Sequence, residues 1–376
     1  MQKAGKKVLF LVNHDVVIYN FRLELVERLL SDGYEVHISS PYGERIDDLV
    51  RLGAEYHEIK MDRHGMNPVK ELLLLKEYRK LIKTVHPFII LGYTIKPNIY
   101  GAVAAKEAGV PFVANITGLG TAVENGGWKQ KVTVLLYKAA FTKVQRVFFQ
   151  NKENEEFFRK HRIALGKHRL LPGSGVNTKR YPLFPFPECG DGKSGMLVKF
   201  AFISRIMKEK GIEQYLSMAE KIKKKYPVTE FHICGFCEEE YEGRLEELTA
   251  KGTVKYHGMI RDVSSFMGEM HCIVHPTYYP EGLSNVLLEA CSSGRGVITT
   301  DRSGCREVVA EGKNGYLVPE KNCKELVRTV EKFLALPWEE KRMMGLEGRK
   351  LVEEKFDRQI VVDAYMREIQ KWTIKK

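Results

Sequence analysis

The chain has no cysteine before position 189, and its seven cysteines are an odd number in 376 residues. No disulfide framework of the secreted kind is expected from that distribution. Cys234 and Cys237 make a CxxC, but no second pair stands at zinc spacing, and the motif follows an apolar run where a tight turn is expected. No apolar run approaches the roughly 18 residues that cross a membrane as a helix. The basic start, residues 1–7, is followed by only five apolar residues before Asn13, too few for a signal-peptide core. Short-period repeats are absent, as is any Asp-x-Asp triplet. A composition of 44% hydrophobic and 29% charged residues, with 32 glycines and 14 prolines, excludes collagen-like, coiled-coil and wholly disordered chains. The expectation is a globular protein of two or three domains, cytoplasmic or held at the cytosolic face of a membrane by its surface.

What is present in excess is positive charge, and it is uneven. The net charge is +12; residues 1–185 carry 29 Lys+Arg against 18 Asp+Glu, and the rest carry 31 against 30. A basic first half calls for an anionic partner: nucleic acid, anionic lipid or a phosphorylated substrate.

Hydrophobic patterning alternates between short apolar runs and amphipathic stretches. Strands are predicted over 7–13, 34–39, 55–59, 88–91, 112–116 and 146–150, with helices over 21–30, 46–52, 69–85, 97–108 and 128–140. The pattern breaks in YPLFPFPECGDGKSG (181–195), which reads as a linker. It restarts with strands over 198–203, 230–234, 254–256, 272–275, 296–299 and 315–318, and helices over 212–224, 239–251, 263–270, 284–292, 305–310, 323–336, 339–356 and 359–372. Such alternation predicts an α/β protein of two Rossmann-like, doubly wound domains with parallel sheets, facing a cleft that is the default ligand site. The domains are placed at 1–182 and 196–356 around a linker at 183–195, with a C-terminal helix of about 357–376 that packs back on the first domain.

Two constellations carry chemistry. Glu281 and Glu289 are eight residues apart. A helix opening near Ser284 sets Glu289 about two turns in and leaves Glu281 in the preceding loop. The free amides of Leu283, Ser284 and Asn285 are then a phosphate site, with the carboxylates better suited to sugar hydroxyls. Arg205 and Lys210 follow the first strand of the second half, where two cations neutralise a leaving diphosphate. His14, His64, His257 and His275 show no metal-ligand spacing. In the first half, Trp128, Tyr137, Phe141 and leucines alternate with four lysines over 128–143, which suits an interfacial helix or an ordinary core helix with a solvated lysine face.

These residues resemble a known family. ISRIMKEKGI, the Glu281–Glu289 run, HGMIRDV and GCREVVAEGKNGYLV (304–318) are similar to the retaining GT-B glycosyltransferases of family 4. NHDVVIYNFR (13–22), GYTIKPNIYG (92–101), NITGLGT (115–121) and PGSGVN (172–177) resemble a narrower subgroup: bacterial transferases acting on sugars linked to polyprenyl diphosphate, of the N-acetylgalactosaminyltransferase type of N-glycan and capsule assembly. Two positions depart from the wider family. The loop 13–21 has no glycine, and Thr117 stands where many relatives carry a histidine.

The resemblance implies a GT-B fold and transfer of an N-acetylhexosamine or hexose from a UDP-sugar, with retention, to a polyprenyl-diphosphate-linked saccharide. It implies donor-diphosphate contacts from Arg205 and Lys210, sugar contacts from Glu281, and ribose contacts from Glu289. Gly235, Met259 and Ile260 would lie beside the base, and Gly282, Leu283, Ser284 and Asn285 around the phosphates. Thr117 and Gly118 would frame the reacting centre, and Asn20, Arg22 and Lys96 would meet the acceptor. Arg22 pairing with Glu24 or Asp15, and Lys96 as a plain loop cation, are the alternative readings. With no Asp-x-Asp, neither a cofactor nor an essential metal is expected. The partners expected are the UDP-sugar, the lipid-linked acceptor and an anionic membrane surface on the inner face of the cell membrane, without nucleic acid. A nucleotide-sugar 2-epimerase on the same fold, or a module binding anionic lipid or nucleic acid, are the competing functions.

Overall fold

A computed structural model of the chain describes residues 5–62, 67–120, 126–188 and 197–374. Residues 189–195 of the expected linker, Thr121 of the NITGLGT motif, and His64 lie outside the described residues. The chain divides into two units. The first comprises Met1–Ser174, Pro280–Gly282 and Arg358–Lys376; the second comprises Gly175–Tyr279 and Leu283–Asp357.

The first unit is built on β1 (Lys7–Leu11), β2 (Glu35–Ser40), β3 (Glu55–Glu58), β4 (Ile89–Tyr93), β5 (Phe112–Ile116), β6 (Arg146–Phe149) and β7 (His168–Leu170). They pair in the order β3-β2-β1-β4-β5-β6-β7, every recorded pair parallel. Reversal of strand order beside β1 is the doubly wound arrangement. β1, β4 and β5 are near-continuous apolar runs because helices cover both faces. Val8 and Phe10 enter one core layer with the helix Leu23–Ser31; Leu9 and Leu11 enter the other with Pro68–Val85, Ile95–Ala108 and Gly127–Ala140.

The helix Arg358–Ile374 closes the first of these layers. Val361, Val362, Tyr365 and Ile369 are buried in it. Its polar ties are equally specific. Tyr365 Oη donates to Asn115 Oδ1. Arg358 Nη1 donates to Glu24 Oε2 at 2.8 Å, and the buried Glu368 carboxylate lies 3.3 Å from Arg146 and 3.5 Å from Arg169.

The second unit carries β8 (Lys199–Ile203), β9 (Glu230–Cys234), β10 (Lys255–Tyr256), β11 (Cys272–His275), β12 (Gly296–Thr300) and β13 (Gly315–Val318), all parallel in the order β10-β9-β8-β11-β12-β13. Helices Ile212–Lys225 and Cys323–Ala335 cover one face; Asn285–Ser292 covers the other.

The elements differ from sequence expectation in a few places. The helix predicted at 21–30 is two helices, Asp15–Phe21 and Leu23–Ser31, broken at Arg22, whose φ of −138° is not helical. The first starts early because the His14 ring and the Asp15 carboxylate both accept from Val16 N–H, giving its first turn the partners it needs. β7 has only three residues, too few for a periodic signal. The helix predicted at 305–310 is a single 3-10 turn, Arg306–Val308.

The stretch around 183–188 is not loose. Arg295 is fully buried and donates from Nε to Met267 O (3.0 Å), from Nη1 to Gly294 O (3.0 Å), and from Nη2 to Gly268 O (2.6 Å) and Pro185 O (2.8 Å). Trp338 Nε1 donates to Pro187 O at 2.8 Å and Ser292 Oγ to Tyr181 O at 2.6 Å. A proline-rich segment has few amides to offer a sheet, so it is fixed through its carbonyls. Burial lowers the Arg295 pKa to about 10, so it stays charged at neutral pH. Arg295→Ala strips four carbonyls of their donor and is expected to cost about 3 kcal/mol of stability. Urea denaturation checks this; a loss below about 1 kcal/mol would show the strap is held without it.

Candidate active site

The candidate residues of the second unit gather at the C-terminal ends of its strands, where ligands bind in open parallel sheets. Beyond β8 the chain turns through Ser204 and Arg205 to the 3-10 turn Lys208–Lys210. Gly211, at φ +83°, ends this turn; a Cβ there would overlap the Pro276 carbonyl, so only glycine fits between the turn and the end of β11. Two bonds to Glu209 O, from Tyr278 N–H (2.8 Å) and Thr277 Oγ1 (3.2 Å), lock the turn to that strand end.

Arg205 and Lys210 are thereby brought to one aromatic ring. The Lys210 Nζ is 4.7 Å and the Arg205 Cζ 5.4 Å from the centre of Tyr279. The ring face offers cations a partial negative potential. Arg205 also pairs with the Glu238 carboxylate at the solvent boundary. Lys210 is buried; desolvation first, and the neighbouring Arg205 second, lower its pKa to about 7. Tyr279 was not among the residues expected from sequence, because a tyrosine before a Pro-Glu-Gly turn carries no motif of its own.

Gly235 sits where a Cβ would overlap Ser204 O, and its N–H donates to Gly258 O at 2.9 Å. Ser204, Gly235 and the Gly258–Ile260 backbone are thus side by side, with Met259 exposed. The neighbouring CxxC thiols are unsuited to redox work: burial pushes Cys234 up to about 12 and raises Cys237 as well.

The helix Asn285–Ser292 opens after Ser284, so Glu289 is its fifth residue, little more than one turn in rather than two. The amide of Ser284 is not free either: it donates to Gly304 O at 2.7 Å. Leu283 and Asn285 N–H find no acceptor among the described residues, and Ser284 Oγ and Asn285 Oδ1 are buried without a partner there. Glu289 is half-buried.

Glu281 and Gly282 fall in the first unit with Pro280. Asn151, just beyond β6, donates from Nδ2 to Glu281 O (3.0 Å) and Gly282 O (2.6 Å), while its Oδ1 caps the helix Lys152–Lys160 through Asn154 N–H (2.8 Å). A Cβ at 282 would overlap Gln150 Oε1 and Thr117 O, and a Cβ at Gly118 would touch Pro280 O at 3.5 Å. Thr117, Gly118, Glu281 and Gly282 therefore form one cluster. Gln150 went unrecognised in the sequence, where Asn151 reads as a cap or turn residue in preference to a binding one.

The expected acceptor residues stand in different environments. Arg22 is buried, its guanidinium 5.2 Å from the Tyr93 ring and 5.4 Å from Tyr365, with Nη1 donating to Phe21 O at 2.6 Å. It pairs with neither Glu24, which Arg358 takes, nor Asp15, whose carboxylate accepts from Arg45 N–H. Arg22 presents no surface cation for a diphosphate; aromatic packing at a helix junction holds it inside. Lys96 is not a plain loop cation but lies in the first turn of Ile95–Ala108, 2.6 Å from Glu71 Oε1. Asn20 is exposed at the end of its helix.

Comparison with known proteins follows this division. Residues 7–151 match the family described as glycosyl transferase 4-like, and residues 192–351 match glycosyl transferases group 1. The chain is a GT-B glycosyltransferase of group 1. It is 26% identical over 374 residues to the N,N'-diacetylbacillosaminyl-diphospho-undecaprenol alpha-1,3-N-acetylgalactosaminyltransferase of Campylobacter jejuni, covering 95% of this chain and 96% of that one. It is 26% identical over 351 residues to the capsular polysaccharide biosynthesis glycosyltransferase CapM of Staphylococcus aureus, covering 89% and 90%. Among solved structures, a glycosyltransferase from Rickettsia africae shares the fold at a TM-score of 0.79 with 15% identity, covering 99% of both chains. Anabaena HepE in complex with UDP and glucose shares it at 0.77 with 16% identity, covering 97% of this chain and 99% of that one.

Lys210 makes the stability of this glycosyltransferase depend on pH. Its folded pKa of about 7 lies below the ordinary 10.5, so between those values the unfolded chain binds the extra proton. Its contribution to stability therefore improves as pH rises from about 7 towards 10.5 and levels off at its lowest below about 7, where both states are protonated. Relative to Lys210→Met, wild type is expected to gain about 1 kcal/mol per pH unit in that window. Paired melts at pH 7.5 and 9 read it; parallel curves would refute the assignment.

Proposed function

We propose that this glycosyltransferase moves a sugar from a UDP-sugar to a saccharide carried on polyprenyl diphosphate, retaining configuration at the anomeric carbon to give an α-linkage. The observation that carries the acceptor class is the similarity, over nearly the whole of both chains, to a transferase named for a diphospho-undecaprenol-linked acceptor. In this reading Arg205 and Lys210 take the donor diphosphate. A lysine with a pKa near 7 regains its proton when a diphosphate arrives, so binding and charging reinforce one another. Ser284 Oγ and the amides of Leu283 and Asn285 complete the phosphate contacts; Glu281 reads the sugar, Glu289 the ribose, and the Gly235 and Met259–Ile260 backbones the base. Thr117 and Gly118, packed against Glu281–Gly282, frame the reacting carbon, and Asn20 and Lys96 approach the acceptor.

The chemistry needs little from the protein beyond charge and position. The anomeric C–O bond to the diphosphate breaks, the acceptor oxygen bonds the same face, and its proton passes to the departing phosphate oxygen. Two fixed cations meet the developing phosphate charge without a metal ion. Arg205→Ala is expected to lower turnover about 10²–10³-fold. Glu289→Ala is expected to lose the thermal stabilisation that UDP compounds, rather than GDP or ADP, give wild type. An assay of UDP release with lipid-diphosphate acceptor tests the whole reading; release independent of acceptor, or wild-type turnover in Arg205→Ala, would defeat it.

The acceptor's lipid requires a surface. The helix Gly127–Ala140 buries Val134, Tyr137 and Ala140 and exposes Trp128, Val132, Leu135 and Leu136 among Lys129, Lys131 and Lys138. In the same layer the helix Pro68–Val85 exposes Val69, Leu72 and Leu73. Apolar side chains interleaved with lysine fit an anionic lipid face on the inner side of the cell membrane. The protein is expected to co-sediment with anionic vesicles, less at high salt, and Leu135→Glu to weaken this. Equal sedimentation with neutral vesicles would argue against the surface.

A further inference from the structure

We infer that His37, Glu55 and His57 form a binding site for a divalent transition-metal ion of the zinc kind on the edge of the first unit's sheet. The inference is independent of the sugar-transfer reading, since none of the three belongs to the candidate active site.

The geometry is that of a nearly assembled three-ligand site. One ligand atom from each residue lies within 4.8 Å of the other two. His37 Nδ1 is 2.9 Å from His57 Nε2 and 3.3 Å from Glu55 Oε2. Zinc bonds nitrogen and oxygen at roughly 2.0–2.2 Å, so tetrahedral ligands stand roughly 3.3 Å apart. Separating the two rings by a few tenths of an ångström admits the ion.

Strand register produces the cluster. Val36 and Ile38 enter one core layer, so His37 points to the opposite face. In the parallel pairing of β2 with β3, Glu55 is opposite His37 and His57 opposite Ser39, so all three are on that same face. β3 is an edge strand and Glu55 is exposed, which leaves an entry path from solvent. The far nitrogen of His37, Nε2, is buried without a hydrogen-bond partner among the described residues, the nearest carboxylate oxygen recorded being Glu35 Oε2 at 4.0 Å.

The second unit supplies the counter-example. There His232 Nδ1 is 3.0 Å from His257 Nε2, and Glu230 stands two residues before His232 as Glu35 does before His37. Opposite His232, however, the register places Lys255 where the first unit has Glu55. That lysine pairs with Glu230 at 2.7 Å. A cation in the third-ligand position repels a metal, so the second pair is a hydrogen-bonded stack and the first a site. Two imidazoles and a carboxylate favour zinc, cobalt or nickel over magnesium and calcium.

The test uses the full chain after dialysis against chelator. Calorimetric titration with zinc chloride is expected to show one tight site, and cobalt(II) chloride to give the visible absorption of a tetrahedral N/O centre. His57→Gln and Glu55→Gln are each expected to weaken zinc binding at least about 10-fold, while His257→Gln leaves it unchanged. Glu55 is exposed, so its variant decides the matter even if His57→Gln fails to fold. Zinc affinity untouched by Glu55→Gln, or a cobalt spectrum dominated by thiolate charge transfer, would overturn the proposal and assign the binding elsewhere.

Discussion

The place of Glu281 depends on one carboxamide. Asn151 spends its Oδ1 on the first turn of the helix Lys152–Lys160, which fixes its rotamer and leaves both Nδ2 hydrogens for the Glu281 and Gly282 carbonyls. Gly282 completes the constraint, since Thr117 O and Gln150 Oε1 occupy the space of a Cβ. A short backbone segment is thus held by a helix cap on one side and by the absence of a side chain on the other. Neither device involves Glu281's own carboxylate.

The second unit solves a different problem: keeping two cations close. Like charges repel, and burial adds a desolvation penalty. The structure answers with a ring face shared between Arg205 and Lys210, the Glu238 carboxylate paired with Arg205, and a Lys210 that gives up part of its charge. An ordinary exposed lysine is already protonated at neutral pH. Under the proposed function, a diphosphate beside a lysine poised near neutrality favours its charged form, which would couple binding to protonation.

Much of this was legible in the sequence, for physical reasons. Buried parallel strands are runs such as KVLFL and FVANI, and their alternation with amphipathic stretches leaves few topologies open. The pairing of Glu281 with Glu289, and of Arg205 with Lys210, is local and survives as motif. What was hidden is long-range. Asn151 lies far along the chain from Glu281. Arg22 reads as a surface cation until Tyr93 and Tyr365 close over it. The segment near 183–188 reads as a linker because prolines and glycines break periodicity, yet its carbonyls are held by Arg295 and Trp338, residues no local pattern connects to it.

The histidine pairs show the same limit in its sharpest form. His37 and His57 carry no recognisable ligand spacing, because neighbouring parallel strands supply them through a crossover. The second unit repeats the arrangement, ring centres 5.2 Å apart in both, so the stack is a property of these strand positions rather than of either unit's task. What distinguishes the two is the sign of one charge at one register position, Glu55 against Lys255. A carboxylate there turns two neutral imidazoles into a potential donor set; an ammonium turns the same two into a closed hydrogen-bonded pair with Glu230. The chemistry of an edge strand is therefore written in the residue opposite the histidine, and only the register reveals which residue that is.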